Sequence, residues 1–93
     1  MKLGVIGTGY VGLVTGACLS DFGHDVLCVD NDEEKIKGIR KGIIPIYEPG
    51  LEVLISKNFT AGRLKFETNV ENFVEELDAI IIAVGTPTNN SDQ

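Results

Sequence analysis

Three glycines, Gly7, Gly9 and Gly12, lie between two short apolar runs, and they restrict the fold of this chain more than any other feature. The first run, Leu3 to Ile6, has the length and composition of a buried strand. Gly7 lets the chain turn sharply out of it. Gly9 has no side chain, so a diphosphate can approach the backbone there. Gly12, with Gly16 four residues on, lets a following helix lie close to the sheet. The spacing predicts that this helix begins near Tyr10, with its free N–H groups and dipole directed at the turn. Val11, Val14, Cys18 and Phe22 recur at i, i+3, i+7 and i+11, an apolar stripe expected to face the sheet, and Gly23 ends the helix.

The second run, Val26 to Val29, ends at Asp30, eighteen residues beyond Gly12. A carboxylate at that strand tip can accept hydrogen bonds from both hydroxyls of an adenosine ribose and repels a 2′-phosphate, which selects NAD over NADP. A charge-assisted hydrogen bond of this kind contributes roughly 1.5–3 kcal/mol. A glycine-rich turn needed only for close packing leaves the acid unexplained.

The chain has 93 residues, enough for one domain. Its net charge of −6 argues against nucleic acid and anionic membranes as partners. It does not argue against an anionic cofactor, because backbone N–H groups bind that locally. Cys18 and Cys28 fall on the helix stripe and in the second strand, and both read as buried thiols of a reducing, cytoplasmic compartment. Neither has a C-x-x-C partner, so no metal site is expected. Glycines at 4, 7, 9, 12 and 16 interrupt any secretory h-region after Lys2, and no apolar run approaches the ~20 residues of a membrane span.

His24, the single histidine, belongs to the turn at the helix end away from the glycines, where an exposed turn residue accounts for it. Asn31 is expected to cap a second helix, with Glu34 as its capping-box partner, Ile36 and Ile39 inward, and Gly42 as the stop. Lys35, one turn into that helix, serves equally as a solvated ion-pair partner or as a cation beside the adenosine end of a cofactor. Residues 43–50 hold two prolines and a glycine and form a loop, apolar enough to pack onto the domain. Pro49 suits the start of a third helix carrying Leu51, Leu54 and Ile55 and ending before Gly62. Leu64 and Phe66 alternate with charged residues, the pattern of a strand with one wet face or an edge position. Asn69 is expected to cap a fourth helix through Val70, Phe73, Val74 and Leu77, and the continuous apolar run Ala79 to Val84 to form a strand buried on both faces.

These elements make an α/β fold: a Rossmann-type parallel sheet of order 3-2-1-4 with right-handed crossovers and helices on both faces. The crevice between the first and fourth strands is the switch point, lined by the Gly7–Gly12 turn and by the exit loop that begins Gly85-Thr86. The apolar fourth strand has nothing after it to cover its outer edge. Residues 1–93 are therefore expected to be the N-terminal part of a truncated dinucleotide-binding domain, with central and C-terminal domains absent.

Gly7 to Gly16, the loop Ile44-Pro-Ile-Tyr-Glu-Pro-Gly-Leu51, Gly62-Arg-Leu64 and Ile82-Ala-Val-Gly-Thr-Pro87 together resemble the N-terminus of the UDP-glucose/GDP-mannose dehydrogenase family, over essentially the whole chain. Tyr47 leans toward the UDP-glucose branch. The resemblance implies oxidation of UDP-glucose at C6 to UDP-glucuronate, with two NAD molecules taking hydride in turn and a cysteine-bound thioester between. It also implies that Gly7, Gly9, Tyr10, Val11 and Gly12 hold the pyrophosphate, Asp30 the ribose and Lys35 the adenosine end, with Gly85 and Thr86 near the nicotinamide ribose. The family's catalytic cysteine and its helpers lie beyond residue 93, and Cys18 and Cys28 do not match that cysteine's place. No catalytic residue is expected here: the chain alone binds NAD without turnover, and the full-length protein is expected to be a homo-oligomer. A non-catalytic nucleotide-sensing module and a flavin-binding half-domain share the glycine turn and Asp30; the two later loops favour the dehydrogenase.

Overall fold

The computed structural model describes residues 1–84. Four strands, β1 (Lys2–Ile6), β2 (Asp25–Val29), β3 (Leu64–Glu67) and β4 (Ala79–Ile82), form one sheet in the order β3-β2-β1-β4. Every pair is parallel, with Val5 opposite Cys28 and Ile81, and Cys28 opposite Phe66. The strand order is the expected one.

Helical cover is unequal on the two faces. The helices α1 (Tyr10–Asp21), α2 (Glu33–Arg40) and α3 (Leu51–Thr60) share one core with Val5, Val26, Cys28, Leu64 and Phe66. Leu64 and Phe66 are fully buried there, as their alternation predicts. Burying side chains of this size contributes roughly 1.5–3 kcal/mol each. Among the described residues the opposite face carries a single 3₁₀ turn, Val74–Glu76, and Leu77 fills the room beside Gly4.

Four local expectations are corrected. On α1, Gly12, Leu13, Gly16, Ala17 and Ser20 are buried, whereas Val11 and Phe22 are 61% and 82% exposed and Cys18 is exposed. The helix is turned by about one residue, ~100°, from the expected stripe. Its glycines decide this. A Cβ on Gly16 would lie 2.5 Å from Cys28 Sγ, so the axis comes nearer the sheet along the glycine face than larger side chains permit. Cys18 is therefore not a core thiol, while Cys28 is completely buried and its thiol is pushed up to about 12 by that burial.

The cap of α2 is Asp32, whose carboxylate accepts the Lys35 N–H at 3.1 Å, and not Asn31. Asp30 takes the Asp32 amide at 3.0 Å and so fixes the entry one residue later. The fourth helix does not form. Asn69 Oδ1 accepts the Glu71 N–H in a local turn, and only Val74–Glu76 is helical. The connection from β3 to β4 crosses three strand spacings, about 14 Å, while returning along the sheet.

The fourth strand is shorter than expected and is not buried on both faces. Ile80 and Ile82 are 41% and 67% exposed, and among the described residues β4 pairs on one side only. The 43–50 loop does pack down in part: Ile44 and Ile46 touch the core, while Ile43 and Tyr47 remain exposed. Where α1, α3 and the start of β3 meet, the fully buried Asn58 donates to Leu54 O and accepts from Arg63 Nε, so its burial is satisfied.

Candidate functional site

The carboxyl ends of β1 and β2 bring the sequence-selected residues together. Gly7 leaves β1 at φ +107, a conformation that disfavours any residue with a Cβ. Its N–H donates to Val29 O at 2.7 Å, locking the turn to the end of β2. Ala83 and Val84, leaving β4, lie against it; a Cβ on Gly7 would come within 3.1 Å of both. Gly12 faces back into the turn, where a Cβ would stand 1.9 Å from Gly7 O. Around Gly9, by contrast, a Cβ would meet nothing within 4 Å.

Gly9 is the N-cap of α1, and no side chain caps that helix. The amides of Tyr10, Val11 and Gly12 thus emerge from the first turn without an intrahelical acceptor. The Val11 side chain points to solvent, so what this residue offers the site is its backbone. Tyr10 is half exposed, and its hydroxyl donates to Glu48 Oε1 at 2.6 Å, which ties the 43–50 loop to the start of α1. That bond, with the Glu48 charge beside it, raises the Tyr10 phenol above its ordinary value.

Asp30 follows β2. One oxygen, Oδ2, accepts from the Thr8 hydroxyl at 2.6 Å and the Thr8 amide at 3.1 Å; the other, Oδ1, accepts from the Asp32 amide. Lys35 Nζ stands 3.7 Å from Oδ2. Partial burial pushes the carboxyl pKa up, but the hydrogen bonds from Thr8 and Asp32 and the Lys35 charge outweigh it. The group is held below the ordinary carboxylate range.

Beside these residues a cavity of about 340 Å³ opens at the carboxyl ends of the strands, lined by Ile6, Gly7, Val29, Asp30, Asn31, Thr68, Asn69, Val70, Glu71 and Val84. Its lining combines the apolar Ile6, Val29, Val70 and Val84 with the carboxylates of Asp30 and Glu71. The donor set fits a dinucleotide: open amides can hold a diphosphate, and a carboxylate can accept from a sugar hydroxyl. Gly85 and Thr86 lie outside the described residues. His24 is half-buried at the far end of α1. Among the described residues no group of three His, Cys, Asp or Glu could hold a metal ion.

Sequence reasoning missed Thr8 and the Tyr10–Glu48 bond. The signal for Thr8 was a hydroxyl-bearing residue between two glycines, at a position fully buried in the structure. The Glu48 pairing crosses 38 residues and has no local signature.

Comparison with known proteins agrees with this geometry. The model of the UDP-glucose/GDP-mannose dehydrogenase family NAD binding domain matches residues 1–93. A UDP-glucose 6-dehydrogenase of Rhizobium meliloti is 53% identical over 99% of this chain, and the UDP-glucose 6-dehydrogenase YwqF of Bacillus subtilis is 60% identical over 94%. Among solved structures, a GDP-mannose dehydrogenase from Pseudomonas aeruginosa superimposes with a TM-score of 0.90 at 43% identity, covering 96% of this chain and 20% of that one. The chain spans about a fifth of the length of the curated relatives, 21% and 20% of these two.

Proposed function

The chain belongs to the UDP-glucose/GDP-mannose dehydrogenase family as an NAD-binding domain, and we propose that it is the cofactor-holding portion of an enzyme that oxidises UDP-glucose to UDP-glucuronate. NAD supplies the hydride acceptor. In this reading the open amides of Tyr10, Val11 and Gly12 hold its diphosphate, and Gly9 leaves room for it. Asp30 and Lys35 hold the adenosine ribose, and Gly85 and Thr86 serve the nicotinamide side. The substrate assignment is supported by the curated relatives, named as UDP-glucose 6-dehydrogenases.

We place residues 1–93 as the N-terminal part of the cofactor domain of a longer, cytoplasmic, homo-oligomeric protein whose further domains bring the sugar nucleotide and the catalytic cysteine. No helix among the described residues is long and apolar enough to cross a membrane. Cys18 and Cys28 are not nucleophiles of this reaction: one lies on the outer side of α1 and the other is sealed beneath Gly16.

The observation that carries the reading is the ionised Asp30 beside the uncapped start of α1. The test is calorimetric titration of NAD and NADP into the chain and into Asp30→Ala. The substitution weakens NAD binding by about 1.5–3 kcal/mol and relaxes discrimination against NADP. Equal loss for both cofactors contradicts the role given to Asp30. In parallel, the 93-residue chain forms no NADH from UDP-glucose; measurable NADH would overturn its assignment as the cofactor portion alone.

A further inference from the structure

Among the described residues of the turn region, Asp30 alone has a side chain held by three separate donors, and two of these come from one buried residue. Thr8 has no exposed surface, so its hydroxyl cannot touch a cofactor itself. Its hydroxyl and amide both converge on Oδ2 of Asp30, at 2.6 and 3.1 Å. A carboxylate oxygen has two lone-pair sites, so Thr8 fills both on Oδ2. The Asp32 amide takes one site on Oδ1, leaving one acceptor site on that oxygen. A side chain gripped from both ends cannot rotate about its terminal torsion without breaking a charge-assisted bond.

We infer that Thr8 is the positioning residue of the ribose site: by clamping Oδ2 it fixes the rotamer in which the Asp30 carboxylate, with its open acceptor site on Oδ1, faces the ribose. The Lys35 ammonium stands beside it, 3.7 Å from Oδ2. The specificity for NAD then has two separable parts. The charge of Asp30 repels a 2′-phosphate whatever its rotamer. The affinity for the unphosphorylated ribose requires the rotamer that Thr8 imposes.

This inference rests on the ribose role proposed for Asp30, and the experiment keeps the two apart. NAD and NADP are titrated calorimetrically into the full chain and into Thr8→Val, Thr8→Ser and Asp30→Ala, and the Asp30 carboxyl carbon is followed by NMR across pH. Thr8→Val removes the hydroxyl from a nearly unchanged shape. It weakens NAD binding about tenfold and NADP binding less than threefold, and it raises the pH at which the Asp30 carboxyl titrates. Thr8→Ser restores the hydroxyl and binds NAD within twofold of the parent. Thr8→Val with parental NAD affinity, alongside a tenfold loss in Asp30→Ala, overturns the positioning role and leaves the ribose role intact. Equal weakening of NAD and NADP in Thr8→Val also overturns it, because a merely structural defect does not distinguish the two. Parental NAD affinity in Asp30→Ala overturns both. If Thr8→Val does not fold, Thr8→Ala removes the same hydroxyl with less bulk and the same comparisons decide.

Discussion

Gly12 and Gly9 are three residues apart, yet substitution by alanine should separate folding from binding. A Cβ on Gly12 would stand 1.9 Å from Gly7 O and 2.8 Å from Gly7 C. Relief requires roughly 1 Å of movement between two segments of backbone. Gly7 cannot yield easily, because its amide is bonded to Val29 O and Ala83 packs behind it. Overpacking of this kind costs about 1–3 kcal/mol, and the obstacle here is main chain, which places the cost at the top of that range or above it. Alanine returns up to about 1 kcal/mol through helix propensity. The net loss for Gly12→Ala is about 2–3 kcal/mol, or a fall in Tm of roughly 10–20 °C for a domain of this size. At Gly9 a Cβ meets nothing within 4 Å, and φ is −73, which alanine adopts freely. The loss of a glycine N-cap is offset by reduced freedom in the unfolded chain, and stability should stay within about 1 kcal/mol. The new methyl nevertheless stands where a diphosphate must approach, and NAD affinity should fall at least tenfold. Thermal melts and NAD calorimetry on both variants read the two effects. Parental stability in Gly12→Ala would show that the close approach is not required. Parental NAD affinity in Gly9→Ala would show that the diphosphate does not lie over the turn.

Gly16→Ala meets the Cys28 thiol in place of backbone, so it should cost about 1–2 kcal/mol alone and become neutral or stabilising in a Cys28→Ala background; additive urea midpoints would contradict the assigned contact. The two thiols should differ sharply toward a thiol reagent. Cys18 is exposed, whereas Cys28, at about 12, carries roughly a thousandfold less thiolate near pH 8 than a free cysteine, so only one thiol reacts in the native chain. The same raised value gives a sign for stability. The unfolded chain loses the Cys28 proton first, so the buried thiol's contribution is complete below about pH 8.5 and declines as pH rises toward 12. Stability that increases across that range in a Cys18→Ser variant, relative to Cys18→Ser/Cys28→Ala, would refute the account.

Much of this fold is legible in the sequence because its determinants are local. Leu64 and Phe66 alternate within four residues, the apolar runs mark β1 and β2, and parallel crossovers of fixed hand leave the order 3-2-1-4. What is not legible depends on contacts between distant segments. The hydrophobic stripe Val11–Val14–Cys18–Phe22 and the glycine stripe Gly12–Gly16 cannot both face the sheet, and only the distance to Cys28 settles which does. The 70–77 pattern reads as a helix by spacing, but Asn69 closes a local turn on the Glu71 amide and only Val74–Glu76 becomes helical. The Ala79–Val84 run reads as buried, although burial depends on what lies beside the strand and not on its own composition. Within the candidate site, Asp30 is found by its distance from the glycines, whereas the Thr8 clamp that fixes its orientation follows from a side chain reaching across 22 positions.

The most direct test of the central claim is an amide-resolved NMR titration of the chain with NAD. The account predicts that the largest shifts fall on the amides of Gly9, Tyr10, Val11 and Gly12, followed by Asp30 and Lys35. The cleft at the opposite end of the sheet, around Lys2, Leu27 and Leu77, should stay silent. Shifts concentrated at that far cleft, with the glycine turn unmoved, would contradict it.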